Sequence, residues 1–280
     1  MTESDYIHLP EEDFRRQRFL FAPHLFALSS EEPDLPPRDL VPRDDWDSVM
    51  NLPTDVVLRT SSHQGNTFAA LHQLESGWVF SWPDPGVCPS MDEIQLLAGE
   101  EFDALVFNAV HGYYRQAVGC LRNALEVMTV GAALTVHSNP ELYEKWRRGQ
   151  EVSFGQSCVW LRESVPGLQV EGAAAPLGIF GRNAKDSDAW FRKLYSRLCG
   201  YAHSRAGYNN ADFWESNGPV HVPSALVTVE NEFRETLAAC YLLLKIAWPG
   251  LGRTEGIEFV FSKPTPNMTE YVPFLNNILT

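Results

Sequence analysis

The chain has 280 residues, of which 44% are hydrophobic and 12% aromatic, so it can bury a core and is not globally disordered. Its formal charge of −14 argues against a protein that coats nucleic acid, because sequence-independent binding depends on many lysine and arginine contacts. No stretch approaches the roughly 20 apolar residues that span a bilayer, and Met1 to Asp5 do not resemble a secretion signal. We therefore expect a cytoplasmic protein with no membrane partner.

Residues 1–89 are predicted to form an N-terminal arm with short helices or strands. Seven prolines within residues 1–54 leave room for little more than a short helix over Glu11–Phe21. We expect the arm to pack on the body through apolar side chains that include Phe14, Phe19, Phe21 and Phe26. Further along, Asp55–Thr60 favours a strand or extended segment, and Asn66–Trp78 favours a helix.

Residues 90–250 are predicted to form an all-α core, an antiparallel four-helix bundle. The expected helices are one long helix over 100–136, a second over 141–148 and again over 154–163, a third from Asp186 or Ser187, and a fourth from Pro223 to Pro249. Residues 164–184 are predicted to be a connection. Residues 251–280 are expected to form an irregular tail over the surface, with a strand-like stretch at Ile257–Phe261.

Arg197 and His203, six positions apart near the end of the third helix, are the candidate catalytic pair. Arg18 and His24 have the same spacing, but they lie in the proline-rich arm, which offers no rigid platform. Residues 182–208 hold six basic and two acidic side chains, a local charge of +4 in an acidic protein. Such a segment can mark an anion site, although a solvated helix face gives the same pattern.

The stretch Tyr195–His203, with Arg197, Leu198 and Tyr201 inside it, resembles the HEPN superfamily. Together with Trp214–Pro219 further on, it is also similar to uncharacterised bacterial proteins with helical bundles. That superfamily consists of helical bundles with an Arg-x(4–6)-His motif, and many of its members are metal-independent endoribonucleases of bacterial defence and toxin systems. The resemblance covers roughly residues 98–250. It implies an RNA substrate, a homodimer, and an antitoxin or defence-complex protein as a further partner.

The chemistry implied by this resemblance needs no cofactor. His203 would be the general acid or base, since histidine changes charge near neutral pH, and Arg197 would hold the phosphate through two oxygens. Arg122 and Glu126, one helical turn apart, could orient substrate or form an ordinary intrahelical ion pair. The loop residues Ser204, Arg205 and Asn209 could bind phosphates or bases, or could belong to a plain surface loop.

Helix geometry restricts how this pair could work together. Residues six apart on an ideal helix point about 240° apart and lie about 9 Å apart along the axis. Gly200 could loosen the last turn, His203 could lie just past the helix end, or a twofold dimer could bring two copies of the pair together. The resemblance favours the dimer.

Absent motifs narrow the range of possible functions. An inhibitor that mimics nucleic acid through its charge of −14 would require a contiguous acidic face, which the scattered acids do not clearly supply. The five cysteines are widely spaced and no histidine pair has metal-ligand spacing, so we expect reduced core thiols and no metal. Phosphate-binding and dinucleotide-binding glycine motifs are absent from the sequence. The alternative to an endoribonuclease is a non-catalytic helical protein that acts as a sensor, a scaffold or a subunit of a larger assembly.

Overall fold

A computed structural model describes residues 43–82, 89–137, 139–164, 175–181, 183–202 and 219–279. These residues are all-α, which confirms the predicted fold class. The chain divides into two compact units, Met1–Val49 and Met50–Thr280. Only the start of one helix is described in the first unit, so the account below concerns the second. The predicted helix at Glu11–Phe21 and the four arm phenylalanines lie outside the described residues.

The described ranges form eleven α-helices and one short 3-10 helix at Pro266–Met268. The α-helices are α1 Arg43–His63, α2 Gly65–Val79, α3 Pro89–Val110, α4 Tyr114–His137, α5 Pro140–Arg147, α6 Phe154–Ser164, α7 Ala175–Phe180, α8 Trp190–Ala202, α9 Pro223–Ala247, α10 Glu255–Ser262 and α11 Val272–Leu279. The helices predicted at 66–78, 141–148, 154–163 and after Pro223 are confirmed. Helix α7 falls where a connection was predicted.

Helices α4 and α9 lie at the centre of the core. Helix α4 packs against α3, α5, α6, α8 and α9. Helix α9 is buried on almost every side, including each residue from Glu232 to Leu244. A helix that is buried all round needs neighbours on all of its faces. The four-helix bundle over residues 90–250 stays a prediction, because α2, α10 and α11 also contact α9.

The long helix predicted over 100–136 is wrong, because the chain breaks at His111–Tyr113 into α3 and α4. Gly112 has a φ of +82°, a left-handed conformation that favours glycine. A Cβ at Gly112 would collide with the backbone of Val220. The two helices fold back on each other and pack extensively, so one predicted helix is in fact a helical hairpin.

The strand predicted at Asp55–Thr60 is also wrong, since these residues lie inside α1. Val56 and Thr60, four positions apart, are buried on one face, and Arg59 Nε pairs with Asp55 Oδ2 one turn away. Both spacings belong to a helix. β-Branched residues favour strands only where a partner strand exists, and the described ranges contain none.

The predictions for the C-terminal residues are also wrong, because these residues are mostly helical. Ile257–Phe261 lies in α10, where the Thr254 side chain accepts a hydrogen bond from the Ile257 N–H as an N-cap. The expected irregular tail instead forms two α-helices and a 3-10 turn that bury Ile257, Val260, Met268 and Leu275 in the core.

The predicted domain boundary at residue 89 differs from the division of the chain after Val49. Helix α2 lies before residue 89, but it packs on α9 and α10.

Helix α4 is long and apolar enough by composition to cross a membrane, the one such helix in the described ranges. Two thirds of its most apolar window, 67%, is buried inside the protein. Its neighbours in the core account for its apolar character without a bilayer.

Helices α2 and α10 cross at a pair of glycines. A Cβ at Gly77 would lie 2.8 Å from the Cα of Gly256, and a Cβ at Gly256 would contact the Gly77 carbonyl oxygen. Neither backbone can move without disturbing the core, because the Tyr241 hydroxyl lies against the same point. The crossing therefore requires glycine on both helices.

We predict that Gly256→Ala destabilises the protein by about 1–3 kcal/mol, the usual cost of overpacking. Gly119 is the matched control, because it is also helical and its added Cβ would meet no described atom within 4 Å. Gly119→Ala should stabilise by about 0.5–1 kcal/mol through helix propensity. Urea unfolding midpoints measure both. Equal effects of the two substitutions would contradict the close crossing.

Candidate functional site

Helix α8 carries the described part of the predicted site. Its buried face consists of Trp190, Phe191, Leu194 and Leu198, which pack toward α4 and α9. The helix continues through Gly200 to Ala202, so Gly200 does not loosen the last turn. Arg197 is described. Four predicted site residues follow this helix and lie outside the described residues: His203, Ser204, Arg205 and Asn209.

The Arg197 side chain is bound by two carboxylates of α9. Its Nε donates to Glu232 Oε1 at 2.7 Å, and its Nη2 donates to Glu235 Oε2 at 2.6 Å. The side chain of Glu232 is 7% exposed and that of Glu235 is 1% exposed, whereas Arg197 retains 26%. Arg197 thus joins α8 to α9 and pairs with two carboxylates that are largely shielded from water.

Two more side chains complete the surroundings of Glu235. The Trp190 indole Nε1 donates to Glu235 Oε1 at 2.9 Å, and the Asn267 amide donates to Glu235 Oε2 at 3.4 Å. Glu232 is less well satisfied, since its Oε2 is buried without a hydrogen-bond partner among the described residues. We call Arg197, Glu232 and Glu235 the α8–α9 charge cluster.

The electrostatics of this cluster follow from its burial. Burial alone would lower the pKa of Arg197, but the Glu232 and Glu235 carboxylates outweigh it and raise that pKa. Burial raises the pKa of Glu232, with Arg197 opposing the rise and Glu235 adding to it. The guanidinium is therefore always charged, and the Glu232 carboxyl holds a proton to a higher pH than a glutamate in water does.

A second polar cluster lies on the opposite flank of α8. Arg122 Nη2 donates to the Tyr195 hydroxyl at 2.9 Å and pairs with Glu126 Oε2 at 2.9 Å, and the Tyr195 hydroxyl donates to Glu126 Oε2 at 3.2 Å. Arg122 and Glu126 are the intrahelical pair expected from the sequence, with Tyr195 as an added partner from another helix. We call these three residues the α4–α8 polar cluster.

Packing and hydrogen bonds hold this second cluster in place. The Tyr195 ring stacks on Phe154, with centroids 4.1 Å apart. Burial, followed by the Glu126 charge, raises the pKa of Tyr195 to about 12, so Tyr195 is a neutral phenol at physiological pH. Burial opposes the charge of Arg122, but hydrogen bonds to Cys199 and Tyr195 raise its pKa overall.

The two clusters do not meet. Consecutive residues of an α-helix point about 100° apart around its axis. Tyr195 and Arg197 are two positions apart, so their side chains point in directions about 200° apart. No hydrogen bond joins one cluster to the other in the described ranges. The structure therefore brings Arg122 and Glu126 together with Tyr195, and not with Arg197.

Sequence reasoning missed Glu232 and Glu235 as the partners of Arg197. The available signal was the run Glu230–Glu235, which places four charges inside a stretch that is otherwise apolar. Charges in a helix that must be buried require partners, and Arg197 lies on the neighbouring helix. Among the described residues, no group of three or more His, Cys, Asp or Glu side chains could hold a metal ion.

Comparison with known proteins finds no family model, no curated protein and no solved structure that matches this chain. The resemblance to the HEPN superfamily therefore rests on the motif around Arg197 and His203 alone and stays a prediction.

We predict that Arg197→Ala destabilises the protein by about 3 kcal/mol, because it leaves two buried carboxylates unpaired. The matched control is Arg59, whose Nε lies at the same 2.7 Å from a carboxylate oxygen of Asp55, but in an exposed pair. Arg59→Ala should cost less than about 1 kcal/mol. Chemical unfolding measures both, and a cost for Arg197→Ala no larger than that of Arg59→Ala would contradict a structural role.

We also predict that Glu232→Gln gains stability over the parent protein as the pH rises. The folded-state pKa of Glu232 is raised above 4.5, so its stabilising contribution is complete below that pH and is lost as the pH rises through the folded-state pKa. Glutamine does not ionise and escapes this loss. The advantage of the variant should grow above pH 4.5 and then level off, which unfolding measured from about pH 4 to about pH 8 would show.

Glu141 provides a control of opposite sign for this pH dependence. A hydrogen bond and the charge of Lys145 lower the pKa of Glu141, so its contribution is present above its unfolded-state pKa and is lost as the pH falls. Glu141→Gln should therefore lose stability relative to the parent as the pH rises. If both variants showed the same trend with pH, the interpretation of Glu232 would be wrong.

Proposed function

We propose that this chain is a non-catalytic helical protein that acts by binding another protein, as a sensor, a scaffold or a subunit of an assembly. The observation that carries this proposal is the pairing of Arg197 with Glu232 and Glu235. The predicted ribonuclease needs Arg197 at the phosphate. In the described structure the same guanidinium already has two carboxylate partners.

Charge explains why these two roles compete. A phosphate at Arg197 would approach Glu232 and Glu235, and like charges at short distance repel strongly where water is scarce. Freeing Arg197 for substrate would leave the two buried carboxylates without their counter-ion, which costs about 3–5 kcal/mol. The cluster therefore favours a structural role for Arg197, which links two helices, over a role in binding substrate.

Exposed apolar side chains support the binding role. Leu96 and Phe107 on α3 and Phe80 after α2 are exposed, although most large apolar residues of the described chain are buried in the core. Burial of such side chains against another protein would contribute favourably to binding. The strongly negative charge of −14 suits a basic partner. A homodimer and an antitoxin or defence-complex partner stay predictions.

The second candidate is the metal-independent endoribonuclease, and the α4–α8 polar cluster favours it in one respect. Arg122 is a partly exposed cation held by Tyr195 and Glu126. In sequence, His203 follows Cys199 by four positions, as Cys199 follows Tyr195. In this reading Arg122 would take the role first predicted for Arg197.

Incubation of the purified protein with total RNA, with and without a chelator, tests both candidates. We expect no cleavage above that of a mock preparation, and the same result for His203→Ala, since the proposed function involves no chemistry. An added ribonuclease serves as the positive control. Cleavage that is lost in His203→Ala, with the fold retained, would overturn the proposal.

Arg122→Ala and Arg197→Ala then separate the two possible sites. If the protein cleaves RNA and only Arg122→Ala abolishes the activity in a folded protein, the second candidate is correct. If a folded Arg197→Ala variant alone is inactive, the original prediction for Arg197 is correct.

A further inference from the structure

A pocket of about 460 Å³ lies between α2 and α10, outside both polar clusters. This volume is within the range of binding pockets for small molecules and side chains. Phe80 at the end of α2 and Phe259 on α10 line it, together with the glycine pair where the two helices cross. Gln73 and Glu255 add polar side chains to this lining.

Hydrogen bonds fix the two helices that form the pocket. Ser81 Oγ donates to the Gly77 carbonyl at 2.6 Å and lies 2.7 Å from Thr254 Oγ1 and 3.2 Å from the Tyr241 hydroxyl. These contacts tie the end of α2 to the start of α10 and to α9. The pocket is therefore formed before any ligand arrives, which lowers the cost of binding.

The buried guanidinium of Arg234 holds Phe259 in place. The Arg234 guanidinium lies 4.8 Å from the centroid of the Phe259 ring, and its Nη1 donates to the Phe259 carbonyl at 2.7 Å. Arg234 is itself buried and paired with Glu230 on α9. The ring on this side of the pocket is thus fixed in position.

Phe80 differs from Phe259, because 84% of it is exposed. Transfer of an aromatic ring from water to an apolar environment is favourable, and burial of a phenylalanine side chain contributes about 1.5–3 kcal/mol of stabilisation. The same ring lines a preformed pocket. A ligand that entered the pocket would cover apolar surface that folding leaves in water.

We propose that this pocket binds an aromatic side chain of a positively charged segment of a partner protein. The proposal deepens the proposed function and rests on it. An aromatic side chain matches the two phenylalanines, and tryptophan and tyrosine are the residues that most often anchor protein interfaces in such pockets. A basic neighbour matches Glu255, the charged residue among those that line the pocket, and the net charge of −14.

Short capped peptides titrated into the full chain test this proposal, with binding followed by NMR. We expect Lys-Trp-Lys to bind, Glu-Trp-Glu to bind about fivefold more weakly because of repulsion from Glu255, and Lys-Ala-Lys to show no binding. Phe80→Ser should weaken Lys-Trp-Lys by about tenfold, as expected for an anchor residue. Val79→Ser is the matched control, because Val79 is exposed beside Phe80 but does not line the pocket.

Four outcomes would overturn the proposal. They are no binding of Lys-Trp-Lys, equal binding of Lys-Ala-Lys, equal binding of Glu-Trp-Glu, and equal binding to the parent and to folded Phe80→Ser. If free tryptamine bound where Lys-Trp-Lys did not, the pocket would be assigned to a small cationic indole. The RNA assay does not involve the pocket, so cleavage that depends on His203 would overturn the proposed function whatever the peptides do. Failure of the peptides to bind would overturn only this inference.

Discussion

The burial of four charged side chains in the middle of α9 is the constraint on which the rest of the structure depends. Glu230, Glu232, Arg234 and Glu235 lie on a helix that α4 and its neighbours enclose. A buried charge without a partner costs several kcal/mol, so α9 can occupy the centre only if each charge is matched. Arg197 from α8 matches two of them, and Arg234 pairs with Glu230 while binding carbonyls of α10. Charge pairing as well as apolar contact therefore determines which helices surround α9.

This constraint changes the meaning of Arg197. A spacing between arginine and histidine in sequence gives the separation of two side chains along a helix, but not the partner that each side chain faces. Arg197 faces α9 and its carboxylates, whereas Tyr195 faces α4 and Arg122. The two flanks of one helix thus carry different chemistry. A basic segment in an acidic protein can have a structural cause, the need to neutralise buried acids nearby.

The sequence predicts helices best where periodicity and caps agree. Helix α9 was found from its apolar spacing and from Pro223 and Pro249 near its ends, and α2 from Phe68, Leu71 and Leu74. The errors have physical reasons. Ile257–Phe261 has strand propensity, but the Thr254 cap and the core beneath α10 favour a helix. The break after α3 has a left-handed residue at Gly112, and Val220, distant in sequence, leaves no room for a side chain there. The partners of Arg197 and Arg122 also depend on tertiary contacts that no local pattern contains.

Buried residues of α9 also support the pocket between α2 and α10. Arg234, which matches Glu230 in the core, also holds Phe259 at the pocket, and Tyr241 from α9 contacts Ser81 at its other side. A surface that is fixed from the interior loses little conformational entropy when a partner binds, so more of the apolar burial contributes to affinity. Phe80 adds exposed apolar area at that rigid place, although its ring contributes little to the fold. Rigid surroundings combined with exposed aromatic area are what an anchor site requires, and within the described chain this pocket combines them.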